Sequence, residues 1–108
     1  MGTKGAKMTG AAAEAAESLQ ADLAPLDGIR TRKMFGGFGV FEGETMFALV
    51  DSAGVVFFKA DETNLAQFEQ AGSEKHARMP YYQVPDAVLT DRSALLDWAR
   101  SSIAISKK

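Results

Sequence analysis

Apolar residues near the N-terminus recur every three or four positions, at Ala12, Ala16, Leu19 and Leu23. Glu14, Glu17, Gln20 and Asp22 lie at positions between them and face other directions. This spacing places the apolar residues on one side of a helix, and the many alanines raise its propensity. The pattern therefore predicts an amphipathic helix over residues 11–23.

Downstream of this helix the periodicity becomes that of extended chain. Short turn sequences around Gly43 and Gly54 interrupt stretches rich in Phe, Val, Met and Thr. Such closely spaced turns are typical of antiparallel hairpins. We predict four strands, at about residues 30–35, 38–42, 45–51 and 55–59.

The alternation of apolar and polar residues within these strands is imperfect. In the third strand, strict alternation places Met46, Ala48 and Val50 on one face, and Phe47 and Leu49 on the other. Both faces of the sheet are then partly apolar, and both need cover. We expect helices to cover one face and the other to lie bare unless a partner packs on it.

The C-terminal half adds two helices and a short extended segment. We predict a helix over about 61–71, with Asp61 as its N-cap and Gly72 just after its end. A second helix is predicted over about 91–103, with Asp91 as its N-cap.

An extended segment over about 79–84 separates these two helices. Pro80 and Pro85 bound it, and proline suits an edge strand because it cannot donate a ladder hydrogen bond. Together the patterns predict an α+β fold in two layers, an antiparallel sheet of four to five strands with three helices packed on it. We expect a lead-in without ordered structure over 1–10, one domain over 11–105 and a solvated tail over 106–108.

Composition narrows the function classes. The 108 residues carry 12 basic and 14 acidic side chains, a net charge of −2, which argues against general affinity for polyanions. The absence of cysteine excludes disulfides, thiolate metal sites and cysteine nucleophiles. No apolar run approaches the ~20 residues of a membrane-spanning helix. We expect a cytoplasmic protein with no membrane association.

Few residues stand out as candidates for chemistry. Gly36, Gly37 and Gly39 lie between strands, which favours a bend with close backbone approach over a phosphate-binding loop. His76 is the only histidine and is expected to be a solvated loop residue, because one histidine without cysteines is a poor metal site. We therefore expect no cofactor, metal, catalytic residue or small-molecule substrate, and the protein is not expected to be an enzyme.

A small basic cluster opens the first predicted strand. Arg30 and Arg32 should share one face, with Lys33 on the other. The cluster could bind a phosphate or an acidic partner, or it could be a charged edge that prevents aggregation. The candidate partner-binding residues are Arg30, Arg32, Lys33, Arg78, Tyr81 and Tyr82.

The ordered set of motifs along the chain resembles the N-terminal domain of the TfoX/Sxy family. The run from Arg32 to Phe41 (RKMFGGFGVF) carries most of the resemblance, and MFAL at 46–49, MPYY at 79–82 and WA at 98–99 follow in order. The resemblance implies a structural role for the matching family-motif residues, which are Met34, Phe35, Gly36, Gly37, Gly39, Phe47, Pro80, Pro85 and Trp98.

The resemblance also carries expectations about fold and activity. It implies a layout similar to the type III secretion chaperone fold, and no catalytic residue. Longer family members are regulators of natural competence that act with the cyclic-AMP receptor protein at promoters, and they carry a second, C-terminal domain. The present chain resembles the first domain alone. Many relatives have more residues at 73–78, so an edge strand is expected to be missing there.

Two functions follow as hypotheses. The first is a protein-interaction module, accessory to transcriptional regulation, that forms a homodimer or binds a transcription-regulatory protein. The two-sided apolar sheet motivates it, because large exposed apolar patches are uncommon on monomers. The alternative is a nucleic-acid-binding domain that uses Arg30, Arg32 and Lys33.

Overall fold

Each strand of the sheet pairs with the strand that follows it along the chain. The computed structural model describes residues 4–34, 36–76 and 79–107. Within that part of the chain, the elements in order are α1 (Lys4–Asp22), β1 (Ile29–Met34), β2 (Gly37–Glu42), β3 (Thr45–Val50), β4 (Val56–Lys59), α2 (Leu65–Gln70), β5 (Tyr81–Gln83), α3 (Asp86–Leu89) and α4 (Arg92–Ser106).

The five strands form one antiparallel sheet in the order β1-β2-β3-β4-β5. This confirms the predicted α+β class and the antiparallel sheet; the likeness to the chaperone fold stays a prediction. β1 and β5 are the outermost strands, so the proline-bounded segment is an edge strand as expected. A single bridge between Lys75 and Tyr82 extends the sheet beyond β5.

All four helices pack on one face of the sheet, which we call the inner face. Phe58 on β4 and Phe68 on α2 are fully buried there, and each contributes about 1.5–3 kcal/mol of hydrophobic stabilisation. The main core comprises Ala12, Ala16, Leu19, Leu23, Val40, Phe47, Ala48, Val50, Val56, Phe58, Ala60, Phe68, Val84, Val88, Leu95 and Ala99.

A bulge in β3 explains the imperfect alternation in this strand. Phe41 pairs with Met46, but Val40 pairs with Ala48, so Phe47 is an extra residue. Phe47 and Ala48 both belong to the main core, whereas Met46 packs on the opposite face. The face assignment by strict alternation was therefore wrong for Met46 and Phe47.

The first and last helices are longer than predicted. α1 begins at Lys4, inside the stretch expected to be a lead-in without structure; residues 1–3 lie outside the described part. Gly10 costs a helix only about 1 kcal/mol relative to alanine, which does not end it. α4 begins as predicted, because the Asp91 carboxylate accepts a hydrogen bond from the Ala94 N–H at 3.2 Å. It continues into the expected tail, where Lys107 forms an ion pair with Glu42.

The helix boundaries between β4 and α4 also differ from the prediction. The Asp61 carboxylate binds Thr63, at 2.8 Å to its N–H and 2.6 Å to its hydroxyl, and so forms a turn instead of capping α2. α2 begins only at Leu65. Gly72 adopts φ +73° after the end of α2, as predicted. The short α3 was not predicted, because four residues after Pro85 carry no helical periodicity. None of the described helices is long and apolar enough to cross a membrane.

Candidate functional site

The face of the sheet turned away from the helices, the outer face, carries a second apolar cluster. Leu49 and Phe57 are 7% exposed and Tyr81 is 5% exposed. Residues 73–76 cover them: the His76 N–H donates to the Tyr81 carbonyl at 2.8 Å, and the Gln83 N–H donates to the Glu74 carbonyl at 2.9 Å. The expectation that this face lies bare was therefore wrong at its β4–β5 end, because the chain supplies its own cover there.

His76 is part of this cover. Its ring packs edge-on against Phe57, with 4.8 Å between the ring centroids. Its Nδ1 is buried and has no hydrogen-bond partner. The prediction of a solvated loop residue was wrong, because the backbone bond to Tyr81 turns this side chain onto the sheet.

Beyond this cover the outer face opens into an apolar groove of about 390 Å³. The groove runs from His76 and Met79 across β3 and β2 to the end of β1. Met79 is 40% exposed, the one large hydrophobic side chain of the described chain that is so open. We call it the outer-face groove and define it by Met34, Met46, Leu49, His76 and Met79.

Gly39 creates the space in which the methionines of the groove meet. It lies between Arg32 on β1 and Leu49 on β3. A Cβ built at Gly39 would lie 2.6 Å from the Met34 sulfur and 3.1 Å from the Met46 sulfur. The two thioethers therefore occupy the volume that a side chain at this position would need.

A basic rim borders the groove on β1. Arg30 and Arg32 are exposed and pair with Phe41 and Gly39 of β2, so they share the outer face as predicted, while Lys33 points the other way. The Arg32 guanidinium lies 5.2 Å from the centroid of the Phe41 ring, a cation–π contact. None of the ion pairs within the described residues involves these three cations. Arg78 lies outside the described residues.

The two tyrosines lie on opposite faces of β5, and neither lines the groove. Tyr81 is buried in the outer-face cluster, and this burial raises the pKa of its phenol. Tyr82 packs on the inner face against Phe68, with 5.8 Å between ring centroids. Neither ring is free to stack on a base.

The family-motif residues that the structure describes lie in the core, at backbone contacts and turns, or at the groove. Trp98 packs edge-on against Phe68 at 4.8 Å, and Phe47 contacts Phe58 at 5.9 Å. The Pro80 carbonyl accepts a hydrogen bond from Ala60, and Pro85 is the N-cap of α3. Gly36 has φ +80° in the turn between β1 and β2, and Gly37 lies against the Val50 carbonyl. Met34 lines the groove, and Gly39 leaves the space that the Met34 sulfur occupies. Phe35 lies outside the described residues.

The arrangement is suited to binding. Across residues 4–34, 36–76 and 79–107, no three His, Asp or Glu side chains converge on a point where a metal could sit. The groove offers thioethers and a leucine to an apolar side chain, and the rim beside it offers two guanidinium groups. Sequence reasoning missed Leu49 and His76 as site residues; the signal it had was the repeated methionine at 34, 46 and 79.

Comparison with known protein families finds a match that covers most of the chain. The model of one family, the TfoX N-terminal domain, matches residues 21–106. That range begins near the end of α1 and includes every strand, the groove, the basic rim and α4. No curated protein matches the chain significantly.

Proposed function

The chain belongs to the TfoX N-terminal domain family, and from this premise we propose that it is a non-enzymatic protein-interaction module in competence-type transcriptional regulation. The binding surface in this proposal is the outer-face groove together with Arg30 and Arg32. The partner is a protein, and the module contributes affinity without chemistry of its own.

The observation that carries the proposal is the apolar, methionine-lined groove on the helix-free face. Methionine is flexible and polarizable, and it is over-used on surfaces that adapt to protein partners. Met79 remains 40% exposed although the cluster beside it is closed by the chain's own segment. An apolar surface left open beside a covered one supports a binding role.

Nucleic-acid binding is the alternative, favoured by Arg30 and Arg32 on an edge strand, where neither forms an ion pair with another described residue. Three observations favour the protein-interaction module over nucleic-acid binding. The chain is net acidic, Lys33 faces away from the two arginines, and Tyr81 and Tyr82 are both packed. Single-strand binding relies on a basic groove with open aromatic rings.

Site-specific photo-crosslinking in cells tests the proposal. A benzoylphenylalanine at Met79 should crosslink to a discrete protein, which mass spectrometry identifies and which the purified components then reproduce. The matched control carries the same group at Glu69, exposed on α2 of the helical layer, and should not give that adduct. Adducts with nucleic acid alone would favour the alternative, and equal adducts from both positions would contradict a role for the groove.

A further inference from the structure

We propose that the outer-face groove and the β1 edge bind an extended, acidic segment of a partner protein, with a large apolar side chain of that segment seated in the groove. This inference rests on the proposed function and states the chemistry of its partner. The carboxylates of the segment meet Arg30 and Arg32.

The shape of the groove limits what can enter it. A volume of about 390 Å³ lies at the small end of ligand pockets, which span roughly 300–1,000 Å³. The walls are the Met34 and Met46 thioethers and Leu49, with His76 and Met79 closing one side. A site of this volume accommodates one or two apolar side chains.

The charged groups around the groove indicate which charge its partner should carry. Arg30 and Arg32 are exposed on the outer face and form no ion pair with another described residue, although the protein is net acidic. Asp51, the carboxylate at the opposite end of the groove, is engaged by the backbone N–H groups of Ala53 and Val55 at 3.0 and 2.9 Å. Two exposed guanidinium groups beside the groove, against one carboxylate that already accepts two backbone hydrogen bonds, favour an acidic occupant.

The edge position of β1 provides the backbone partner. No described strand pairs with its outer side, and an extended segment can add to such an edge with main-chain hydrogen bonds. Gln20 donates to the Ile29 carbonyl at 3.1 Å and accepts from the Thr31 hydroxyl at 3.5 Å, so its side chain covers the Ile29 end of this edge. An added strand at this edge would bring alternate side chains onto the outer face, beside Arg30, Arg32 and the groove.

A second copy of this chain fits the same edge poorly. Two β1 strands paired antiparallel about a two-fold axis would set the Arg30–Lys33 stretch of one copy against that of the other. Like charges directly opposite one another destabilise a strand pair. The charge pattern therefore favours a different, acidic chain over self-pairing at this edge.

The test is an NMR titration of the ¹⁵N-labelled protein with a defined probe, the acetylated peptide Asp-Glu-Leu-Phe-Asp-Glu-Leu-Asp. We expect chemical-shift changes at the β1 amides and at Gly39 and Leu49. Two control peptides are matched to it: one replaces every acid with lysine, the other replaces leucine and phenylalanine with serine. Both should bind at least tenfold more weakly, because each lacks one of the two recognised features.

Charge-reversed variants complete the test. R30E with R32E should weaken binding of the acidic probe at least tenfold, whereas R92E with R100E, exposed on the helical layer, should leave it unchanged. The inference is overturned if the lysine peptide binds as well as the acidic one, or if the shifts fall outside β1 and the groove. It is likewise overturned if a single-stranded dodecanucleotide binds the site and the peptide does not.

Two further measurements distinguish this inference from self-association and from the proposed interaction function. Sedimentation that shows a dimer dissociated by R30E with R32E would assign the edge to a second copy and overturn the inference. A specific crosslink at Met79 combined with failure of the acidic probe would reject the acidic segment and leave the interaction module standing. Failure of both the crosslink and the probe would reject both.

Discussion

At the scale of single residues, two glycines of β2 are required for different reasons. A Cβ at Gly37 would lie 2.0 Å from the Val50 carbonyl oxygen, which is fixed backbone. The atoms nearest to a Cβ at Gly39 would be side-chain atoms: the Met34 and Met46 sulfurs and Cε1 of the Phe41 ring. Gly37 is therefore needed for β2 and β3 to approach closely, whereas Gly39 is needed for the methionine side chains to fill the groove wall.

Alanine substitutions should separate these roles. G37A should lose about 2 kcal/mol or more of unfolding free energy, because backbone must shift to admit the methyl group. G39A should lose only about 1 kcal/mol, because the thioethers can rotate away. Urea unfolding of both variants measures this.

The control for both variants is G10A in α1, where a Cβ has open space. It should gain up to about 1 kcal/mol, since alanine is the better helix former. A larger loss for G39A than for G37A would contradict the assignment.

The buried phenol of Tyr81 makes a pH prediction. Burial raises its pKa in the folded protein above 10.0. Below pH 10.0 both states hold the proton, so the contribution to stability is complete. Above it only the unfolded chain releases the proton, so stability should fall by up to about 1.4 kcal/mol per pH unit until the folded pKa is reached.

Comparing urea unfolding of the wild type and Y81F at about pH 8 and pH 10.5 measures this effect. Y81F should lose less stability between the two pH values, since it lacks the phenol. Equal losses in the two proteins would show that another group is responsible.

At the scale of elements, one carbonyl joins β4 to both neighbouring helical regions. The Lys59 carbonyl accepts from the Ser102 hydroxyl of α4 at 2.8 Å and from the Asn64 amide at 3.3 Å. Ser102 and Asn64 are the two buried polar side chains among the described residues. Because either donor can satisfy the carbonyl, their contributions should be coupled.

A double-mutant cycle tests this coupling. S102A should cost about 1 kcal/mol, and N64A slightly more, since Asn64 also accepts from the Asp61 N–H at 2.9 Å. The double variant should exceed the sum by about 0.5–1 kcal/mol, because the buried carbonyl then has neither donor. S101A, exposed one residue earlier on α4, should be neutral. Strict additivity would contradict the coupling.

The elements with strong local signals could be predicted from the sequence, and those set by tertiary contacts could not. The hairpin turns were predicted from Gly43 and Gly54, and the start of α4 from Asp91. These predictions succeeded because turns and helix caps depend on residues close together in the chain. The bulge at Phe47 depends on the register of β2 against β3, which no local pattern encodes. The groove needed the same information, since Met34, Met46 and Met79 meet only when three distant segments are brought together.

At the scale of the whole molecule, the two faces of the sheet are covered in different ways. Helices close the inner face with a continuous core. Among the described residues, 73–76 close the outer face at its β4–β5 end, and the other end is left open as the groove. Arg30, Arg32 and Lys33 lie on the edge strand that borders this open end. The open area is thus confined to one side of a molecule that is otherwise packed.

The order of the strands has a consequence for synthesis on the ribosome. Because each strand pairs with its predecessor, the first four can assemble as the chain emerges, and such local pairing favours rapid folding. The inner side of β3 and β4, however, packs against α4, and α4 follows every described strand along the chain. Until it leaves the exit tunnel, Phe58 and its neighbours have no lid, and the nascent chain presents this surface to chaperones and to other nascent chains.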